Sequence, residues 1–145
     1  MENNSGIKEE WVYNATSCSL KTIREDFKQY LNDSRVDDVN TGYIIIAVNE
    51  ICMNIIQHAD GGNYSGKIYI SAEIINNILS IWIEDDAMVI DKTSLKGRDI
   101  TKLEPGGLGL FLVNDIMDTV SYSDRDLKTG NCLKMTKRLE NSDAI

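Results

Sequence analysis

The chain has one histidine, one proline, three cysteines and no apolar run longer than residues 43–48. A single histidine excludes a His-rich metal site. Cys18, Cys52 and Cys132 are odd in number and widely spaced, with no CxxC pair. That excludes a disulfide framework or a zinc site and leaves reduced thiols of a cytosolic protein. The run at 43–48 is far short of the roughly 20 residues that cross a bilayer. The opening MENNSGIKEEW lacks a basic and then an apolar region, so no signal peptide is expected. Basic residues are in deficit: 15 Lys and Arg stand against 23 Asp and Glu, a net charge of −8. A surface that acidic argues against a nucleic-acid backbone or an anionic membrane as the main partner.

What is present describes one globular domain. The 145 residues are 42% apolar and 26% charged, enough for a real core. Residues 1–9 read as a flexible N-terminus, 10–140 as the domain and 141–145 as a tail, with no repeats. Alternation over residues 10–16 predicts a strand. Leu20, Ile23, Phe27, Tyr30 and Leu31 recur at helical spacing, predicting a helix over 19–32 capped by Ser17 or Ser19. The longest helical segment, 37–59, contains no proline and is apolar nearly all round through Ile44–Val48, so it should be buried on more than one side. Asp60-Gly61-Gly62-Asn63 stops it. Residues 67–75 alternate cleanly. Asn76-Asn77 turns the chain, and Leu79, Ile81 and Ile83 alternate with Ser80, Trp82 and Glu84, giving a hairpin with one covered face. Residues 88–105, with the only proline, show no period. A short helix then leads to a closing hairpin of strands at 119–123 and 131–139. The order β-α-α-β-β-loop-α-β-β predicts an α+β fold, a two-layer α/β sandwich whose mostly antiparallel sheet is covered on one face by three helices.

Three constellations bear chemistry. Glu50, Asn54 and His58 fall at i, i+4 and i+8, on one stripe of the long helix among Ile51, Met53, Ile55 and Ile56. A carboxylate and an amide in such a setting need partners; the plainer alternative is a solvated polar stripe. Asp85 shares parity with Leu79, Ile81 and Ile83, so it would sit on the covered face at the strand's end and want a donor, such as a ligand amino group. The alternative is that Glu84-Asp85-Asp86 simply begins a turn. Gly106-Gly107-Leu108-Gly109 opens a helix, where backbone amides can meet a phosphate chain; the alternative is a plain flexible loop. Neither a Walker loop nor a Rossmann fingerprint is present.

In this order, on this string of elements, the three resemble the Bergerat-fold ATPases, the superfamily of gyrase, Hsp90, histidine kinases and MutL. The similarity is greatest to the anti-sigma-factor serine kinases of bacterial stress-response and sporulation switches. VNEICMNIIQHA at 48–59 resembles their N box. GGLGLFLV at 106–113 with IMDTVSY at 116–122 resembles their G2 box and following strand, and LKMTKRL at 133–139 their ending. The resemblance implies that Asn54 coordinates Mg²⁺ on the ATP phosphates, that Glu50 is the catalytic base, and that Asp85 accepts from the adenine amino group. It implies that Gly106, Gly107, Leu108 and Gly109 give the phosphates their backbone, while His58, Ala87 and Ile90 line the nucleotide. It makes residues 91–105 the ATP lid, with Arg98 or Lys102 near a phosphate. One box departs from the family pattern: Asp85-Asp86-Ala87-Met88-Val89-Ile90-Asp91 stands where glycines are usual. If Ala87 must adopt a positive φ, the strain is on the order of 1 kcal/mol.

The implied activity is that of an ATP-dependent serine-protein kinase acting on a small STAS-type anti-sigma antagonist. The implied partners are that antagonist, a sigma factor it holds, a serine phosphatase in the same pathway, and a second copy in a homodimer, all in the cytoplasm. The altered box favours an alternative, a sequestering module without turnover; the retained Glu50 and Asn54 oppose it. A histidine-kinase catalytic domain is disfavoured, because no phospho-acceptor helix pair is present.

Overall fold

The computed structural model describes residues 8–87, 107–122 and 130–139. The elements run β1 (Lys8–Asn14), α1 (Cys18–Asp33), α2 (Asp38–His58), a 3₁₀ turn (Ala59–Gly62), β2 (Lys67–Ile75), β3 (Ile78–Asp85), α3 (Gly107–Ile116), β4 (Thr119–Tyr122) and β5 (Asn131–Arg138). The sheet order is β1-β2-β3-β5-β4, and every neighbouring pair is antiparallel. The α+β sandwich predicted from the element order is the fold observed.

The alternation in β2 and β3 determines which face is covered. Ile68, Ile70 and Ala72 of β2 and Leu79, Ile81 and Ile83 of β3 are buried, joined by Leu133 and Met135 of β5. Asn76 and Asn77 make the β2–β3 turn with φ of 55° and 66°, the left-handed pair a two-residue hairpin requires. α1 lays Ile23, Phe27, Tyr30 and Leu31 on the sheet. Trp11 of β1 meets Phe27 at 5.2 Å and Tyr30 edge-on at 5.4 Å, and the Tyr13 hydroxyl donates to Asp26 at 2.8 Å. The Lys137 ammonium donates to the carbonyl of Ile116 at 2.9 Å, tying the end of α3 to β5.

Several expected boundaries move, each for a pairing reason. β1 begins at Lys8, so Lys8 and Glu9, read as loose N-terminus, pair with Glu73 and Ala72. It ends at Asn14 because its partner starts at Lys67, leaving Ala15 and Thr16 outside. Ser17 precedes α1 but is already helical (φ −61°, ψ −24°), and its side chain makes no capping bond. Asp37 does cap α2: extended at ψ 163°, it accepts from the Asn40 N–H at 2.8 Å. That backbone bond holds its carboxyl below the usual carboxylate range.

Asp38–Gly62 is long and apolar enough by length and composition to cross a membrane, which the short apolar runs did not suggest. Its apolar residues are core residues instead. Ile44, Ala47, Val48 and Cys52 are at most 1% exposed, and the helix packs between α1 and α3. None of the three cysteines is in a disulfide, in keeping with the reduced-thiol reading; Cys52 and Cys132 are buried and Cys18 is exposed. Burial pushes the Cys52 thiol up to about 12.

Candidate nucleotide site

The polar stripe of α2 lies between the two alternatives the sequence left open. Glu50, Asn54 and His58 are all half-buried, with Ile51 and Cys52 buried beside them and Gln57 exposed. Among the described residues none of the three polar heads has a hydrogen-bond or ion-pair partner. Their stems are packed and their heads are available.

Asp85 is the last residue of β3 and is 5% exposed. It stands in register between Ile68 of β2 and Asn131 of β5, so it belongs to the sheet and the turn alternative falls. Its Oδ1 accepts two hydrogen bonds, from the Ala87 N–H at 2.9 Å and the Asn131 side-chain amide at 3.0 Å. Oδ2 accepts none among the described residues. Burial pushes the carboxyl above the usual carboxylate range; the bonds from Asn131 and Ala87 oppose this, while the charges of Asp86 and Asp60 add to it.

The expected strain at Ala87 does not arise. The non-glycine residues with positive φ among those described are Arg35, Asp60, Asn76 and Asn77. Ala87 instead holds an ordinary conformation, is buried, and gives its N–H to the carboxylate two residues back, a side-chain turn that needs no glycine. The turn is braced from outside. The Asp86 N–H donates to the Tyr64 hydroxyl at 2.8 Å, which donates to the Lys67 carbonyl at 2.6 Å. Tyr69 donates to Asp86 at 2.9 Å.

α3 begins at Gly107, with Gly109 in its first turn, and packs along α2 through a buried stripe that includes Leu110 and Val113. The helix start was therefore placed correctly. Ile90, Gly106, Val89 and the residues 91–105 expected to form a lid, with Arg98 and Lys102, lie outside the described residues, as does the side chain of Leu108.

Sequence reading missed Gly130 and Asn131. Gly130 has φ 86°, and a Cβ there would overlap the Asp85 carbonyl oxygen. No local signal marks these two, because their importance comes from lying opposite a strand end some 46 positions earlier.

The donor set suits a nucleotide with a hard cation. Oδ2 of Asp85 is an open, buried acceptor for an amino group. Asn54 offers one amide oxygen. Among the described residues no group of three or more His, Cys, Asp or Glu could hold a metal. A single amide oxygen is the kind of donor a hard divalent cation such as Mg²⁺ would accept.

The family profile for the histidine kinase-like ATPase domain matches residues 13–137. The serine-protein kinase RsbW of Bacillus thuringiensis (strain Al Hakam) is 34% identical, over 66% of this chain and 62% of its own. That of Halalkalibacterium halodurans is 33% identical, over 72% of this chain and 65% of its own. The chain thus spans just over 60% of the length of these curated relatives. Among solved structures, the RsbU and RsbW domains of Rv1364c from Mycobacterium tuberculosis superpose with a TM-score of 0.69 at 15% identity, covering 93% of this chain and 33% of that one. The SiaB–SiaC complex from Pseudomonas aeruginosa gives 0.57 at 13% identity, covering 92% and 89%. At such identities the structures speak for the fold.

Proposed function

This chain belongs to the histidine kinase-like ATPase domain family, and from that premise we propose that it is an ATP-dependent serine-protein kinase that works as an anti-sigma factor in a partner switch. The observation that carries the reading is Asp85: a carboxylate buried at the end of β3 with one oxygen accepting two hydrogen bonds and the other accepting none among the described residues. An ionisable group held in that condition is poised for a ligand donor, and an adenine amino group fits it.

The remaining roles follow from the half-buried stripe. Asn54 would hold Mg²⁺, which when bound neutralises charge on the phosphates. Glu50 accepts the proton of the attacking serine hydroxyl as its oxygen bonds to the γ-phosphorus and the bond to the β-phosphate oxygen breaks. His58, Ala87, Ile90 and Gly106 through Gly109 complete the nucleotide surroundings. The substrate is a small STAS-type antagonist, and its new phosphate disrupts a packed contact, so that the kinase holds the sigma factor instead. A serine phosphatase resets the switch, the kinase acts as a homodimer, and all of this takes place in the cytoplasm. The ordinary backbone of Ala87 supports nucleotide binding, because it carries none of the strain expected at that position; Val89, the other residue of the altered box, lies outside the described residues.

Calorimetry with Mg-ATP, paired with phosphate transfer to a candidate antagonist, tests the proposal. Wild type binds and transfers. Asn54→Ala loses the magnesium-dependent part of the affinity. Glu50→Gln still binds but transfers slower by about 10²–10⁴-fold. Equal transfer by wild type and Glu50→Gln would remove Glu50 as the base, and binding without any phosphoserine would favour sequestration.

A further inference from the structure

Asp85 and Asn131 are cross-strand partners at the end of the β3–β5 ladder. Asn131 shares parity with the buried Leu133 and Met135, so its side chain stands on the helix-covered face beside the carboxylate. The polarity of their bond is fixed. An ionised carboxylate only accepts, so the asparagine nitrogen donates. With the Ala87 N–H on the same oxygen, Oδ1 is saturated, and Oδ2 accepts no bond from the described residues.

We propose that Asn131 is a positioning residue for base selection: by fixing Oδ1, it presents Oδ2 as an acceptor and so favours a purine carrying an amino group at C6. This rests on the nucleotide reading given above. The selection works only while Asp85 is ionised, since a protonated carboxyl would offer a donor where the amine needs an acceptor. Several groups act on that ionisation. Asp60, in the turn after α2, and Asp86, next in the chain, both disfavour the charged carboxylate; Asn131 and the Ala87 N–H favour it. Tyr122 of β4 and Tyr64 before β2 also face this charge: burial raises both hydroxyls, and the charge of Asp85 adds to it. Removing Asn131 therefore takes away one of two supports and leaves both opposing carboxylates.

The test compares ATP with purine riboside triphosphate, which has hydrogen at C6, by calorimetry on the full chain between pH 5 and 8. In Asn131→Ala, ATP affinity falls about tenfold, the scale of one hydrogen bond to a charged group. Affinity for the 6-hydrogen analogue stays within about twofold, because that analogue does not use the open oxygen. The acid limb of ATP binding also moves to higher pH, since losing a bond to the charged form raises the carboxyl. In an Asp85→Asn background the same substitution has no further effect on the ATP preference. Equal loss for both nucleotides, or an unmoved acid limb, overturns the proposal by reducing Asn131 to a structural role. Wild type binding neither nucleotide overturns the nucleotide reading itself, and this with it. Should Asn131→Ala melt early, Asn131→Leu, which fills the space without a donor, carries the same comparison.

Discussion

Asp85 sets stability against function at a single residue. Its carboxyl is raised above the ordinary value of 3.8 by burial. Below that value it is protonated in both folded and unfolded chains, and burial exacts no ionisation penalty. As pH rises toward the folded value the unfolded chain gives up its proton first, so the site's contribution to stability declines and then stays low. Asp85→Asn keeps an oxygen for both donors and removes the charge. At pH 7 it should be more stable than wild type by about 1 kcal/mol in urea melts, with the gap closing toward pH 4, and it should bind ATP more weakly. Equal stability at both pH values would mean that the buried charge is compensated by something other than Asn131 and Ala87. Asp85's place was readable in the sequence, because three alternating apolar residues lead up to it. The conformation of Ala87 was not: a family pattern of glycines suggested a positive φ, and only the carboxylate two residues back explains why an alanine serves.

Among the elements, α2 carries the stripe of Glu50, Asn54 and His58 proposed for the site, and its start is held by Asp37. Because the folded carboxyl of Asp37 lies below its ordinary value, its contribution is present above that ordinary value and lost as pH falls through the folded one. Asp37→Ala should lower stability by about 1 kcal/mol at pH 7 in urea melts, and by less in acid. An unchanged midpoint would show that the Asn40 bonds merely replace water. The cap was within reach of sequence reading, since an aspartate opens the helical pattern. Ser17 illustrates the reverse: the residue type was right for a cap, but its backbone was already helical and its side chain makes no capping bond. Strand ends moved by one or two residues for the same kind of reason, because the partner strand decides where pairing stops.

For the whole molecule, ligand binding should be visible as stability. A nucleotide that binds only the folded chain adds about 2.7 kcal/mol at a hundred times its Kd, a rise in Tm of about 9 °C for a chain of this length. Mg-ATP should give that shift in thermal melts, and a chelator should diminish it in wild type but have little effect on Asn54→Ala. A chelator-sensitive shift that survives in Asn54→Ala would place the metal on another residue. The same scale explains α2, whose composition would suit a membrane. Three layers of neighbours account for it: α1 on one side, α3 on the other, and the sheet beneath, where α2 meets β3.

By itself the sequence determined the local and periodic features: the two-residue alternation that marks β2 and β3, the helical spacing of α1, the polar stripe of α2, the parity of Asp85 and the glycine start of α3. These need only neighbours a few residues away. The tertiary structure alone decided what crosses the sheet. It set Asn131 opposite Asp85 and left Gly130 no room for a side chain. Such relations arise because register joins residues far apart in the chain, and a hydrogen bond depends on distance in space rather than on order along the backbone.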